Sequence, residues 1–124
     1  SRLKDILEGK RKSLENSRIL IAGVTYKKDV KDLRKSPPLR LIELLEQRGV
    51  KVSYSDPLIP YLKIGSIDLR SVVLNEKNVA GFDVVVVATD HSDVNYKLIL
   101  KSAKMIFDTR NVFGHLKNKK IVKL

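Results

Sequence analysis

An α/β fold, built on a parallel sheet with helices on both faces, is predicted by two observations. Apolar strand-like runs alternate with segments of helical periodicity, which is the pattern of a sheet whose crossovers are helices. The runs are also apolar on both of their faces, most clearly the four consecutive valines Val84–Val87, as expected of strands sandwiched between layers. The chain has 124 residues, 43% of them hydrophobic, which suffices for one domain burying roughly two-thirds of its unfolded surface.

The elements follow in order. Leu3, Ile6 and Leu7 have helical spacing, so residues 1–17 read as a helical lead-in. Residues 18–24 are the first buried strand. A polar loop of about a dozen residues then runs to Ser36-Pro37, where Ser36 is placed to cap a helix and proline suits its first position. Leu41, Leu44 and Leu45 are its expected inner stripe, with Arg40, Glu43, Glu46 and Gln47 outside and Gly49 as the stop. Residues 50–55 form the second strand, broken by Asp56-Pro57. Residues 58–74 read as irregular, with a short strand near Val72. Asn75 caps a brief helix ending at Gly81, and residues 83–88 are the next strand. Ser92 or Asp93 caps a helix running to about Ser102; residues 104–108 are a strand, and 121–124 a short final one.

Right-handed crossovers put the carboxyl ends of all parallel strands on one edge. Tyr26, Lys27, Asp56, Thr89, Asp90, His91, Thr109 and Arg110 are all expected there. The loop after the first strand carries five cations, Lys27, Lys28, Lys31, Arg34 and Lys35. Cations at that edge of an open α/β sheet point to a phosphate-bearing small molecule.

The formal charge of +11 also suits phosphate polymers or acidic surfaces. The basic clusters at residues 10–12 and at Lys117, Lys119, Lys120 and Lys123 have no interleaved aromatics for base stacking, and no nucleic-acid motif is present. No stretch approaches the ~20 apolar residues of a membrane helix. With no cysteine, the chain has no disulfide, thiolate nucleophile or thiolate metal site, a composition compatible with the cytoplasm. His91 and His115 lie far apart without metal-ligand spacing. Asp56 sits where an acidic residue binds ribose in dinucleotide folds. However, Gly23 is followed by Val-Thr-Tyr-Lys rather than the glycine fingerprint, so Asp56 reads as a turn and not as part of a primary NAD site. His91 reads as a polar residue between strand and helix.

Tyr26-Lys27-Lys28-Asp29, Asp32-Leu33-Arg34-Lys35-Ser36-Pro37, Tyr54-Ser55-Asp56-Pro57, Ala88-Thr89-Asp90-His91 and Asp108-Thr109-Arg110-Asn111 together resemble the C-terminal, UDP-binding domain of the UDP-glucose/GDP-mannose dehydrogenase family. The resemblance covers residue 18 to the end, and Ala-Thr-Asp-His looks most like the UDP-N-acetylglucosamine and UDP-N-acetylmannosamine 6-dehydrogenases. It implies a three-layer Rossmann-like domain over residues 18–124, led into by residues 1–17 from a missing upstream domain. Ser1 as first residue and Met105 as sole methionine fit an excised piece.

The resemblance further implies that Tyr26 and Lys27 contact a bound UDP-sugar, that Arg110 grips its nucleotide portion, and that Arg34 reaches an NAD held mainly by an absent domain. The alternatives left by the residues alone are a solvated Lys27, an Arg34 that pairs with Asp29 or Asp32, and an Arg110 that pairs with Asp108. No catalytic or metal-ligating residue is expected, because the family's cysteine and glycine motif are absent. The implied parent is a cytoplasmic homodimer or higher homo-oligomer that oxidises the sugar's 6-hydroxyl to a carboxylate. The competing reading is a free-standing basic α/β module that binds nucleotides or RNA.

Overall fold

The structure, a computed structural model, describes Lys4, Asp5 and residues 13–124. Of the helical lead-in expected over residues 1–17, Lys4 and Asp5 are helical, residues 13–17 form a turn and not a helix, and the others lie outside the described residues. Five strands form one parallel sheet: β1 (Arg18–Ala22), β2 (Lys51–Ser55), β5 (Val84–Val87), β6 (Ile106–Asp108) and β7 (Ile121–Lys123), in the order β2-β1-β5-β6-β7. The register pairs Ile21 with Tyr54 on one side and with Val86 on the other. The α/β class and parallel sheet expected from the apolar runs are therefore present.

Helices cover both faces. On one, α1 (Pro37–Gln47) lays Leu39, Ile42 and Leu45 over Ile19, Ile21, Val52, Val84 and Val86. On the other, Val79 of α2 (Glu76–Ala80) and Ile99 of α3 (Tyr96–Ser102) pack on Leu20, Ala22, Val85, Val87 and Ile106. Alternate residues of β1 and β5 thus feed two separate cores, which is why β5 is apolar throughout and β1 is apolar from Ile19 onward. Full burial of each such aliphatic side chain contributes about 1.5–3 kcal/mol.

Four local expectations are corrected. Residues 58–74 are not irregular: β3 (Tyr61–Ile64) and β4 (Ile67–Arg70) form an antiparallel hairpin that seals Leu62 and Ile67 into the first core. Its turn is Gly65-Ser66, with Gly65 at φ +58°, a two-residue connection that glycine permits. The inner stripe of α1 is Pro38, Leu39, Ile42 and Leu45; Leu45 is the one residue shared with the expected stripe, Leu41 is half-buried beside it and Leu44 is exposed. Ser36 holds the N-cap position but its hydroxyl donates to the Val24 carbonyl at 2.6 Å, and α3 is capped by Asn95, whose side chain accepts from Leu98 N. Asn75 caps α2 as expected.

Candidate functional site

β1 lies at the centre of a switch in strand order. The chain leaves β1 through α1 to reach β2 on one side, while β5 lies on the other side and leads to α3 on the opposite face. The loops after β1 and β5 therefore diverge and open a crevice, the place where open α/β sheets bind ligands. Gly23 makes the crossing possible. It has φ +94°, and a Cβ there would stand 2.5 Å from Thr89 Cβ.

Below the crevice the two loops are tied by a buried network. His91 and Asp56 are 1% and 2% exposed. His91 Nε2 lies 2.9 Å from Asp56 Oδ2 and 3.1 Å from Thr25 Oγ1, and its Nδ1 accepts from the backbone N–H of Asp29 at 2.9 Å. An Nδ1 that accepts carries no proton, so the proton sits on Nε2 and is donated to Asp56. Asp56 also accepts from Val24 N and Leu58 N. Asp29 returns the bond across the crevice, accepting from Ser92 N at 2.7 Å and Ser92 Oγ at 2.6 Å, and these bonds hold its carboxyl below the ordinary value. Thr89 Oγ1 donates to Thr25 O, Thr25 Oγ1 to Lys27 O, and Tyr96 Oη to His91 O. Burial, reinforced by the charge of Asp90, pushes the Tyr96 phenol well above its usual range. The backbone that presents Tyr26 and Lys27 is thus fixed from beneath. Asp56 and His91, which the sequence suggested as a turn and a connecting polar residue, are the centre of that support.

Above the network lies a cleft of about 380 Å³ lined by Tyr26, Pro38, Leu41, Val86, Thr109 and Arg110, among others. It opens where α1 ends its cover of the first face and the sheet continues toward β7. Most of its lining residues are apolar, and Tyr26, Thr109 and Arg110 are the ones that carry polar groups.

The expected site residues divide. Tyr26 and Arg110 are brought together in this cleft. Lys27 is exposed on the adjoining loop and is not among the cleft's lining residues. Arg34 lies elsewhere, in a groove with Leu33, Lys35, Leu39, Arg40 and Ile64. Its guanidinium is paired with Asp32 through two bonds of 3.1 Å, one of the alternatives left open by the sequence, and its side chain is 89% exposed. Asp108 does not pair with the Arg110 guanidinium: its carboxylate accepts from the N–H groups of Arg110, Val112 and Phe113. Lys120 of the C-terminal basic cluster donates to the carbonyls of Leu100 and Lys101 at the end of α3. Among the described residues no group of three His, Asp or Glu side chains is placed to hold a metal ion, and no helix is long and apolar enough to cross a membrane.

Comparison with known proteins bears on the family and the fold. Residues 20–115 match the family model for the UDP-binding domain of the UDP-glucose/GDP-mannose dehydrogenases. The chain is 35% identical over 118 residues to a UDP-N-acetyl-D-mannosamine dehydrogenase of Methanococcus maripaludis, covering 87% of this chain and 26% of that protein. It is 29% identical over 136 residues to a UDP-glucose 6-dehydrogenase of Rickettsia prowazekii, covering 98% of this chain and 29% of the relative. The solved UDP-D-ManNAc dehydrogenase of Pyrococcus horikoshii superimposes with a TM-score of 0.74 at 30% identity, over 98% of this chain and 28% of that one. The chain thus spans less than a third of the length of these relatives. It belongs to the UDP-glucose/GDP-mannose dehydrogenase family and corresponds to that family's UDP-binding domain.

Proposed function

We propose that this chain is the nucleotide-holding part of an NAD-dependent UDP-sugar 6-dehydrogenase, and that alone it binds but does not catalyse. The observation that carries the reading is the convergence of Tyr26 and Arg110 on one cleft at the switch in strand order. Arg110 offers a planar fork of donors to the diphosphate, a geometry a lysine does not reproduce. Tyr26 borders the ring of the base, and Lys27 on the same rigid loop adds a point charge. Held in this way, the nucleotide lends its binding energy to placing the sugar for a reaction on the rest of the parent enzyme. That reaction is oxidation of the 6-hydroxyl to a carboxylate. Identity to UDP-N-acetyl-D-mannosamine dehydrogenases favours an N-acetylhexosamine as the sugar.

The residues present do not fit a primary NAD site. The space beside Gly23 is filled by Thr89, and the Asp56 carboxylate is spent on Val24, Leu58 and His91. Arg34, exposed and steadied by Asp32, is the group this chain would extend to a cofactor held elsewhere in a cytoplasmic, homo-oligomeric parent. A free-standing RNA-binding module is not favoured, because the family match accounts for the strand-edge motifs.

Calorimetric titration of the chain with UDP, GDP, NAD⁺ and a short single-stranded RNA tests the reading. Binding of UDP in preference to the others, weakened in Arg110→Ala, is expected. Salt-sensitive RNA binding with no response to UDP overturns it.

A further inference from the structure

Four carboxylates gather at the carboxyl edge of the sheet: Asp29, Asp56, Asp90 and Asp108. Three of them accept hydrogen bonds from backbone amides or neighbouring side chains. Asp56 accepts from two amides and His91, Asp29 from Ser92, and Asp108 from three amides of its own turn. Asp90 differs. Its Oδ1 is shut off from solvent and receives no hydrogen bond among the described residues. The charged group facing that oxygen is Arg110, whose Nη2 is 3.6 Å away, an ion-pair distance slightly longer than a hydrogen bond. A buried carboxylate oxygen without a donor is costly, so an arrangement that retains one calls for an explanation.

We propose that Asp90 is a positioning residue that holds the Arg110 guanidinium at the mouth of the cleft, so that its remaining N–H groups face the diphosphate of the ligand. The inference rests on the functional reading above. The backbone is held on both sides: Thr89 N is bonded to Ala22 O and Thr89 Oγ1 to Thr25 O next to Asp90, while Thr109 N and Oγ1 are bonded to Val87 O and Arg110 N to Asp108, which leaves the arginine side chain to be oriented. Guanidinium has donors on several edges, and one edge on Asp90 leaves the others for phosphate oxygens. With its side chain 41% exposed, Arg110 without Asp90 would sample many rotamers, and ligand binding would have to order it. Sealed from water, the carboxylate oxygen has little other recourse than the arginine.

The test is a double-mutant cycle in UDP affinity, measured calorimetrically on the chain, with thermal melts to confirm folding. Asp90→Ala and the isosteric Asp90→Asn are each combined with Arg110→Ala, and Asp90→Ala is also combined with Lys27→Ala. Asp90→Ala is expected to weaken UDP binding about fivefold, to lose that effect when Arg110 is already alanine, and to keep it when Lys27 is alanine. Asp90→Asn is expected to show the same coupling if Asp90→Ala proves too unstable to titrate. An equal loss with and without Arg110 would make Asp90 purely structural, and unchanged or tighter binding would make it a competitor of the phosphates; either overturns the inference. If Arg110→Ala leaves UDP affinity intact, or the wild-type chain does not bind UDP, the functional reading falls and this one with it.

Discussion

His91 Nε2 stands 2.9 Å from Asp56 Oδ2 at a point where both side chains are sealed from solvent, and this pair joins the ends of β1, β2 and β5. Asp56 follows β2, His91 follows β5, and both reach the segment after β1 through Val24, Thr25 and Asp29. Removing one member leaves several buried groups without partners. Asp56→Ala strips acceptors from Val24 N, Leu58 N and His91, and is predicted to cost about 3–5 kcal/mol in denaturant unfolding. His91→Asn, which keeps an acceptor near Asp29 N, is predicted to cost less than His91→Phe. Equal losses for the two histidine variants would mean that the Asp29 bond contributes nothing.

Glycine at position 23 is required twice over, by its φ of +94° and by Thr89 packed against it. Gly49 has a φ of +78° but nothing within 4 Å of a would-be Cβ. Gly49→Ala is therefore predicted to cost about 1–2 kcal/mol, the left-handed penalty alone. Gly23→Ala must also push apart β1 and β5, and is predicted to cost clearly more and to weaken nucleotide binding. Comparable melting temperatures for the two variants would refute the close-approach argument.

The bridge from Asp29 to Ser92 has a definite pH signature. Its hydrogen bonds lower the Asp29 carboxyl from 3.8, so the folded state releases the proton more readily than the unfolded one. The bridge's contribution is complete above 3.8 and is lost as pH falls through the lower folded-state value. Acidification across that window is predicted to speed hydrogen exchange at Ser92 N relative to the strand amides, and Asp29→Asn is predicted to show faster exchange already at neutral pH. Equal protection in wild type and variant at neutral pH would contradict the bridge.

Glu46 shows the opposite sign. Burial raises its carboxyl above 4.5, and its Oε1 has no partner among the described residues. Stability associated with the protonated form is present below 4.5 and lost as pH rises through the raised value. Glu46→Gln is predicted to raise the melting temperature at neutral pH and to leave it unchanged in acid. A lower melting temperature at neutral pH would mean that the ionised carboxylate is stabilised by a group not yet identified.

Much of this architecture is legible in the sequence because its strands are apolar on both faces and its helix boundaries carry Pro37, Asn75 and glycine. The hairpin of β3 and β4 is harder to read, since three of the four residues of β3 and two of those of β4 are exposed, which leaves no buried alternation beyond Leu62 and Ile67. Its one readable signal is Gly65-Ser66 between two isoleucines. The carboxyl-edge residues Tyr26 and Arg110 follow from strand ends alone. The roles of Asp56, His91 and Asp90 do not, because they arise from pairings across 35, 62 and 20 positions of sequence that exist only once β2, β1, β5 and β6 lie side by side. Ser92 misled for the same reason: its hydroxyl answers Asp29 across the crevice rather than the helix that follows it.

The most direct test of the central claim is amide chemical-shift mapping of the isotopically labelled chain during titration with UDP. Saturable shifts are predicted to be confined to the segments after β1, β5 and β6, with Tyr26, Asp90, Thr109 and Arg110 among the largest, and to be lost in Arg110→Ala. Shifts centred instead on the opposite edge of the sheet, around Arg18, Arg70 and Lys77, or no saturable shift at all, would contradict it.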